Sequence, residues 1–460
     1  MQRAPQAAAA LDVVVTTLGG REYALSLSAP VSVREVKVQV CAAGGPLPYR
    51  QRLLRGHAVL EDDASLESDA ALGGPGAGRM HLTLVTCAGP WKTVAVDAWV
   101  KFRVPSHLRF VRKVRSGAYG TVALFRDGMT GQKLAVKKIT DAFRDLADGK
   151  SILRELKLLR GIAHDNIVRV LDIYPPEDPD FDDLYIVTES MDSDLHRVIR
   201  SSQALTDEHH QLFTYQILRA MLYLHSANVV HGDLRPSCAL VNLDCELQIS
   251  DFRYARAAGS EGPGDREPGG PVNRWYSAPE FLLQGKEFTK SMDIWSVGCI
   301  HCELIGRQPI FNGGDHFDQL RKIMSMVGTP SKDELGWLPP RSPAWSFLQE
   351  TAACTRQRWE TVFAEASREC LGAVERMLAF SPRARATAEE AICLPYFLTL
   401  HDPSDEPTAD APADWSLDEL VPTRRLLQNH AYAECAHFRP DLAMRDEEFL
   451  ALRDTDPLLE

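Results

Sequence analysis

His231-Gly232-Asp233-Leu234-Arg235-Pro236-Ser237 is followed by Ile249-Ser250-Asp251-Phe252, then by Ala278-Pro279-Glu280, then by Asp293-Ile294-Trp295-Ser296-Val297-Gly298. Any one of these short strings is noise; four in this order are not. Two loop aspartates near one cleft can divide the work of phosphoryl transfer. One orients a hydroxyl and accepts its proton, and the other holds the magnesium that bridges the phosphates.

Upstream, Ser116-Gly117-Ala118-Tyr119-Gly120 reads as a turn between two strands. Glycines there let backbone amides approach phosphate oxygens, although a plain hairpin turn explains the string equally. Lys137, in Ala135-Val136-Lys137 on a later strand, neutralises phosphate charge if Glu155 of the next helix holds it. Taken alone, Lys137 is a surface lysine. The strands LRFVRKV, TVALFRD and KLAVKKI precede a helical stretch around Ile152–Leu159. After Met191 the pattern is mainly helical, with Leu212–Leu224 and Ile294–Ile305 continuously apolar, and Gly259–Pro271 is a Gly/Pro-rich flexible loop. The class is α+β: a β-rich small lobe (108–190), a helical large lobe (191–397) and a cleft between them.

The first part of the chain stands apart. Residues 1–10 form a disordered Ala-rich tail, and LDVVVTTLGGREYALSLSA reads strand, Gly-Gly turn, strand. Val33, Val36 and Val40 fall at helical spacing, so residues 11–90 form a small mixed sheet on one helix. Residues 91–107 read as a linker, and 398–460 as a C-terminal extension, acidic and then amphipathic. Over 460 residues, 45% hydrophobic and 25% charged content excludes wholesale disorder. The net charge of -12 argues against broad nucleic-acid or anionic-membrane binding. No run of eighteen apolar residues exists and the start lacks the layout of a secretion signal, so no membrane partner is expected. Ten cysteines are too sparse for a disulfide scaffold, and Cys299-x-x-Cys302 reads as buried thiols. The expectation is a soluble, reduced chain of the cytoplasm or nucleus.

The four strings resemble the protein-kinase signature set over Leu108–Phe397. Within that superfamily the chain resembles the mitogen-activated protein kinases, through SGAYG (116–120), LRELKLL (153–159), HDNIVRVLDI (164–173), DSDLHRVI (192–199), YQILRAMLYLHSANVVH (215–231), RWYSAPE (274–280), VGTPS (327–331) and HDPSDEP (401–407). The resemblance implies a bilobal kinase fold that uses ATP and Mg2+. It makes Asp233 the catalytic base, Arg235 the contact to the transferred phosphate, and Lys137 with Glu155 the phosphate-anchoring pair. It puts Val114, Gly117, Gly120, Val122 and Ala135 around the nucleotide, Thr188 at the pocket gate, and Glu189 to Met191 on the adenine-facing hinge. Asp251 becomes the metal ligand, with Cys238 at the second ligand position. Glu280 and Arg385 become a structural ion pair, and Asp293 a brace for the catalytic loop. Asp402, Asp405 and Glu406 become an acidic patch for basic docking peptides; a solvated acidic turn is the plain alternative. Ala436-His437-Phe438-Arg439-Pro440 resembles the family's extension that returns to the small lobe.

Residues 11–90 resemble ubiquitin, a β-grasp domain, through TTLGG (16–20), VREVKVQV (33–40), GGPLPYRQRLL (44–54), Leu60-Glu61-Asp62 and MHLTL (80–84). Leu18 and Leu54 match apolar positions of ubiquitin's interaction patch, where Thr83 replaces valine. The end, Cys87-Ala88-Gly89-Pro90, lacks the Gly-Gly needed for processing and conjugation. The resemblance therefore implies a fixed module that either recruits ubiquitin-receptor proteins or is a passive appendage.

Departures from the kinase pattern bear on activity. Arg115 replaces the first glycine of the phosphate loop, pointing either to solvent or over the nucleotide. Gly232 replaces the arginine that pairs with an activation-loop phosphate, and Pro268-Gly269-Gly270 replaces the phosphate acceptors. The two losses are mutually consistent, since either alone leaves an unmatched charge. Arg235 replaces lysine, keeping charge but not shape. Cys238 replaces a metal-binding asparagine, a poor exchange for a hard cation. Arg253 follows Asp251-Phe252 in place of glycine, Asn273 replaces a substrate-loop threonine, and Ser277 replaces an arginine that favours proline after the acceptor. Three readings follow: an ATP-binding pseudokinase-like docking module, an active serine/threonine kinase that needs no loop phosphorylation, and a ubiquitin-pathway adaptor with an inert kinase fold.

Overall fold

The computed structural model describes residues 10–17, 21–28, 31–43, 51–55, 58–60, 64–66, 80–86, 91–117, 120–174, 176, 180–260, 274–284 and 288–438. Several expectations lie outside them: the tail before Ala10, Leu18, Glu61-Asp62, Cys87–Pro90, Ala118-Tyr119, Pro268–Gly270, Asn273 and Arg439-Pro440. The chain divides into two units: residues 1–140 with 172–190 and 432–460, and residues 141–171 with 191–431.

In the first unit the alternating apolar residues of β1 (Ala10–Thr17) and β2 (Glu22–Ser28) pair antiparallel. A short ladder joins β3 (Val31–Ser32) to a strand at Ser65–Leu66. Helix α1 (Val33–Ala42) then places Val33, Val36 and Val40 in a core with Val13, Val15, Leu53 and Leu82. With β4 (Gln51–Arg55), β5 (Ala58–Val59), β6 (the Ser65–Leu66 strand) and β7 (Met80–Thr86) named in chain order, the main sheet runs β2-β1-β7-β4-β5. Its central pair, β1 and β7, is parallel.

The expected linker is structured. β8 (Trp91–Ala95) and β9 (Lys101–Pro105) form an antiparallel hairpin. Its alternation buries Phe102 and Val104 completely, and Phe102 meets Phe125 and Tyr185 with ring centroids 6.0 and 5.8 Å apart. Arg103 lies over the Trp91 ring at 4.4 Å. A second sheet runs β10-β11-β12-β14-β13, from β10 (Leu108–Gly117), β11 (Gly120–Asp127), β12 (Lys133–Ile139), β13 (Val170–Tyr174) and β14 (Leu184–Glu189). At the end of the last described helix (Arg424–Phe438), the buried Cys435 thiol points to the Tyr174 carbonyl, 3.7 Å away.

The second unit is helical. α2 (Leu146–Gly161) begins where the Asp145 carboxylate accepts from the Ala147 and Asp148 amides. This helix falls in the helix-rich unit, residues 141–171 with 191–431. Lys150, Arg154 and Lys157 stand one turn apart, and each grips residues 414–420. Lys150 Nζ donates to the Asp418 and Leu420 carbonyls at 2.8 and 2.9 Å. Arg154 donates to Asp418 Oδ1 from Nε at 2.8 Å and from Nη2 at 2.7 Å. Lys157 meets Asp414 Oδ2 at 2.7 Å and Ser416 Oγ at 3.0 Å.

After α3 (Leu195–Arg200), the apolar helices α4 (Asp207–Ser226) and α6 (Lys290–Gly306), with α5 (Pro279–Gln284) between them in sequence, build the core. Both α4 and α6 are buried along most of their length, as helices apolar on more than one face are. Cys299 and Cys302 are buried thiols whose pKa values burial pushes up. Arg385 forks onto Glu280 with bonds of 2.6 and 2.9 Å, its side chain wholly buried.

Candidate active site

In the helix-rich unit, Thr289 caps α6 and Asp293 lies in its first turn, where the helix favours negative charge. Its buried carboxylate accepts from His225 Nε2 at 3.0 Å, the His231 amide at 2.8 Å and the Gly232 amide at 2.9 Å. Burial alone raises its pKa, but the bonds and charge of His225, with His231 and Gly232, bring it below the usual carboxylate value. The loop at 231–233 is thereby fixed to α6. His231 has its ring edge-on to Phe252 at 5.0 Å, and its Nδ1 accepts from the Asp233 amide at 3.3 Å.

Behind this loop, β17 (Ala239–Val241) and β18 (Leu247–Ile249) pair antiparallel, after the short strands β15 (Ser193–Asp194) and β16 (Val229–Val230). Ser250 ties the hairpin exit to the loop, donating to the Cys238 carbonyl from both its amide and its hydroxyl, each at 2.9 Å. Asp251 follows in the left-handed region, at φ 73°.

Asp233 and Asp251 meet through arginines. Arg235 donates from Nε to Asp233 Oδ2 at 3.2 Å, from Nη2 to Asp251 Oδ2 at 3.2 Å, and from Nη1 to the Ser237 hydroxyl. Arg253 donates from Nε to Asp251 Oδ1 at 2.9 Å and lies 3.5 Å from Oδ2 through Nη2. Burial opposes charge on both guanidiniums, but their neighbours raise both pKa values: Cys238, Asp233 and Asp251 around Arg235, and Asp251 with Glu155 around Arg253. Cys238 is buried, its thiol directed at the Asp233 carbonyl, 3.6 Å away. Arg154 Nη1 lies 3.4 Å from the Arg253 carbonyl. A small, open cleft lies between the loop and residues 276–278, lined by Gly232, Asp233, Leu234, Ser277 and Met292.

Sequence reading noted Arg235 and Arg253 separately and missed their convergence. The available signal was a repeated Asp-x-Arg, at 233–235 and again at 251–253.

In the sheet-rich unit, Val122 pairs with Lys137, Lys137 with Ile186, Ala135 with Thr188, and Leu134 with Glu189. The two-residue period puts Val122, Ala135, Lys137 and Thr188 on one half-buried face, while Leu134 and Val136 are buried on the other. Val114 is half-buried beside an irregularity between Lys113 and Arg115, and Glu189 is exposed. Gly117 faces open space; Gly120, at φ 110°, would put a Cβ 2.1 Å from the Lys138 carbonyl oxygen, so that turn needs glycine. Arg115 is exposed. Glu155 is buried in α2, and Met191 is half-buried at the start of the helix-rich segment 191–431.

The acidic segment divides. Asp402 accepts from the Ser404 amide at 2.9 Å and hydroxyl at 2.7 Å and stays exposed. Asp405 meets Arg219 at 3.1 Å with most of its side chain in solvent. Glu406 departs from the expected patch. Its carboxylate is 5% exposed and turned inward, accepting from the Tyr215 hydroxyl at 2.7 Å and from His401 Nδ1 at 2.8 Å.

A helix-rich unit whose braced loop carries one aspartate, with a second at the exit of the following hairpin, has the layout of a protein kinase large lobe. The family model "Protein kinase domain" matches residues 108–397. Mitogen-activated protein kinase 1 of Oryza sativa subsp. japonica is 40% identical over 376 residues, 80% of this chain and 92% of that protein. Mitogen-activated protein kinase 6 of Arabidopsis thaliana is 42% identical over 332 residues, 72% of this chain and 83% of that protein. The chain belongs to the mitogen-activated protein kinase family, whose members share a bilobal kinase fold and use ATP with magnesium.

Proposed function

We propose that this chain binds ATP, transfers its terminal phosphate slowly or not at all, and acts mainly as a docking module. The observation that carries this reading is the engagement of Asp251, the family's metal ligand, by Arg235 and Arg253. Cys238 adds to it, because sulfur suits a hard cation poorly. Loss of one metal ligand lowers a transfer rate by about two orders of magnitude, about 3 kcal/mol in barrier. The exposed carboxylates of Asp402 and Asp405 would receive basic docking peptides, with Glu406 shaping the turn from beneath.

The N-terminal sheet supports a ubiquitin-like module: five strands in the order β2-β1-β7-β4-β5, a parallel central pair and one packed helix. Its partners would be ubiquitin-receptor proteins, and Leu54→Arg tests this, since unchanged receptor binding removes the proposal. An active kinase that needs no loop phosphate is the second reading, favoured by the intact bracing of the 231–233 loop on Asp293. Radiolabelled phosphate transfer under a metal titration separates the two. A metal-dependent rate abolished by Asp233→Asn overturns the docking-module reading.

A further inference from the structure

We propose that the phosphate-binding part of the helix-rich unit is built to work without a metal ion. The guanidiniums of Arg235 and Arg253 occupy the role of the divalent cation, so a nucleoside triphosphate binds whether or not magnesium accompanies it. The inference deepens the ATP-binding reading above and rests on it.

A magnesium ion demands near-octahedral oxygen ligands and is drawn by carboxylates that are open to it. Here the donor set does not fit the ion. Asp251 Oδ1 accepts from Arg253 at 2.9 Å, and Oδ2 accepts from Arg235 at 3.2 Å. Asp233 Oδ2 accepts from the same Arg235. The residue after this loop that would complete the coordination is Cys238, whose thiol is directed at a carbonyl. Among the described residues, no group of three or more His, Cys, Asp or Glu side chains is arranged to hold a metal ion.

The charge arithmetic closes without the ion. Two carboxylates and two guanidiniums sum to zero, since Arg235 keeps the charge of the lysine it replaces and Arg253 adds one positive charge beside Asp251. These positive charges cannot be lost by deprotonation at any ordinary pH. Guanidinium also suits the task, because its planar fork of N–H donors matches phosphate oxygens. Magnesium would have to displace a guanidinium that is about 10% exposed, as is the Asp251 side chain it grips, leaving a positive charge buried without its carboxylate.

The test is calorimetric titration of the full chain with ATP, once in excess EDTA and once in excess magnesium chloride. The expected result is a Kd that changes by less than about threefold between the two. ATP binding tightened threefold or more by magnesium overturns the inference while leaving the ATP-binding reading intact. Absence of ATP binding in both buffers overturns that reading, and this one with it. The double variant Arg253→Gly, Cys238→Asn removes the Arg253 bond to Asp251 Oδ1, leaves the Arg235 bond to Oδ2, and restores an oxygen ligand. It is expected to gain at least a tenfold preference for the magnesium complex, about 1.4 kcal/mol. A folded double variant that stays indifferent to magnesium counts against the arginines as the cause.

Discussion

Asp418→Ala removes the carboxylate that holds the middle of the basic stripe on α2. Arg154 is 6% exposed and Asp418 28%, and two guanidinium nitrogens converge on one carboxylate oxygen at 2.7–2.8 Å. At an effective dielectric near 20, charges about 4 Å apart attract by about 4 kcal/mol before desolvation is counted. Exposed pairs retain about 0–1 kcal/mol of this, whereas breaking a buried pair costs about 3–5 kcal/mol. With one partner buried and the other a quarter exposed, the expected loss is about 2 kcal/mol. Urea denaturation at fixed pH measures it as a lower midpoint at constant slope. A cycle with Arg154→Leu isolates the pair, because the Lys150 bonds run to backbone carbonyls and survive both changes. A coupling below about 0.5 kcal/mol would show that the segment 414–420 merely lies against α2, and the reasoning would be wrong.

Three further outcomes are expected. Phe102→Ala should cost about 3–5 kcal/mol by thermal or urea melting, because its buried ring packs on Phe125 and Tyr185; an unchanged midpoint would return the 91–105 hairpin to the status of a linker. Arg385→Met leaves Glu280 buried without its partner and should cost about 3–5 kcal/mol, with much of the loss recovered in Arg385→Met, Glu280→Leu; a single variant as stable as the parent refutes this. Burial, aided by nearby Arg219, lowers the pKa of His164 to about 4, and burial, aided by His210, lowers that of His301 to about 3. Both rings stay neutral in the folded chain while the unfolded chain binds protons near pH 6.5, so their stabilisation is complete above that pH and falls as pH drops. Each contributes a slope of about 1.4 kcal/mol per pH unit, so the pair should lose about 4 kcal/mol between pH 7 and pH 5; equal urea midpoints at those two values would refute it.

The parts of the molecule legible in the sequence are those where one residue type meets one physical demand. Val33, Val36 and Val40 are apolar at helical spacing and fully buried, and the run Ile294–Ile305 lies in a helix with no exposed apolar face to hide. Asp293 was legible as a brace because the resemblance carried its role. The hairpin at 91–105 was missed because Phe102 and Val104 alternate over only a few residues, too short a run to separate from an apolar linker. The inward turn of Glu406 depends on Tyr215 and His401, one of them 191 residues away in the chain, which no local pattern encodes. The salt bridges at Asp251 failed for the opposite reason: the signal was local but was weighed as two separate substitutions.

Gly232 limits what this loop can carry. At φ 74° it sits where a side chain is strained, and a Cβ there would lie 3.1 Å from the Tyr254 carbonyl oxygen and 3.3 Å from the Phe288 ring. Reinstating an arginine therefore requires the backbone to rotate and two neighbours to give way before the new side chain has any phosphate to meet. Any side chain at this position is therefore expected to lower the stability of the loop. A variant designed to meet an added phosphate would therefore carry its arginine more readily at a position of the loop other than 232.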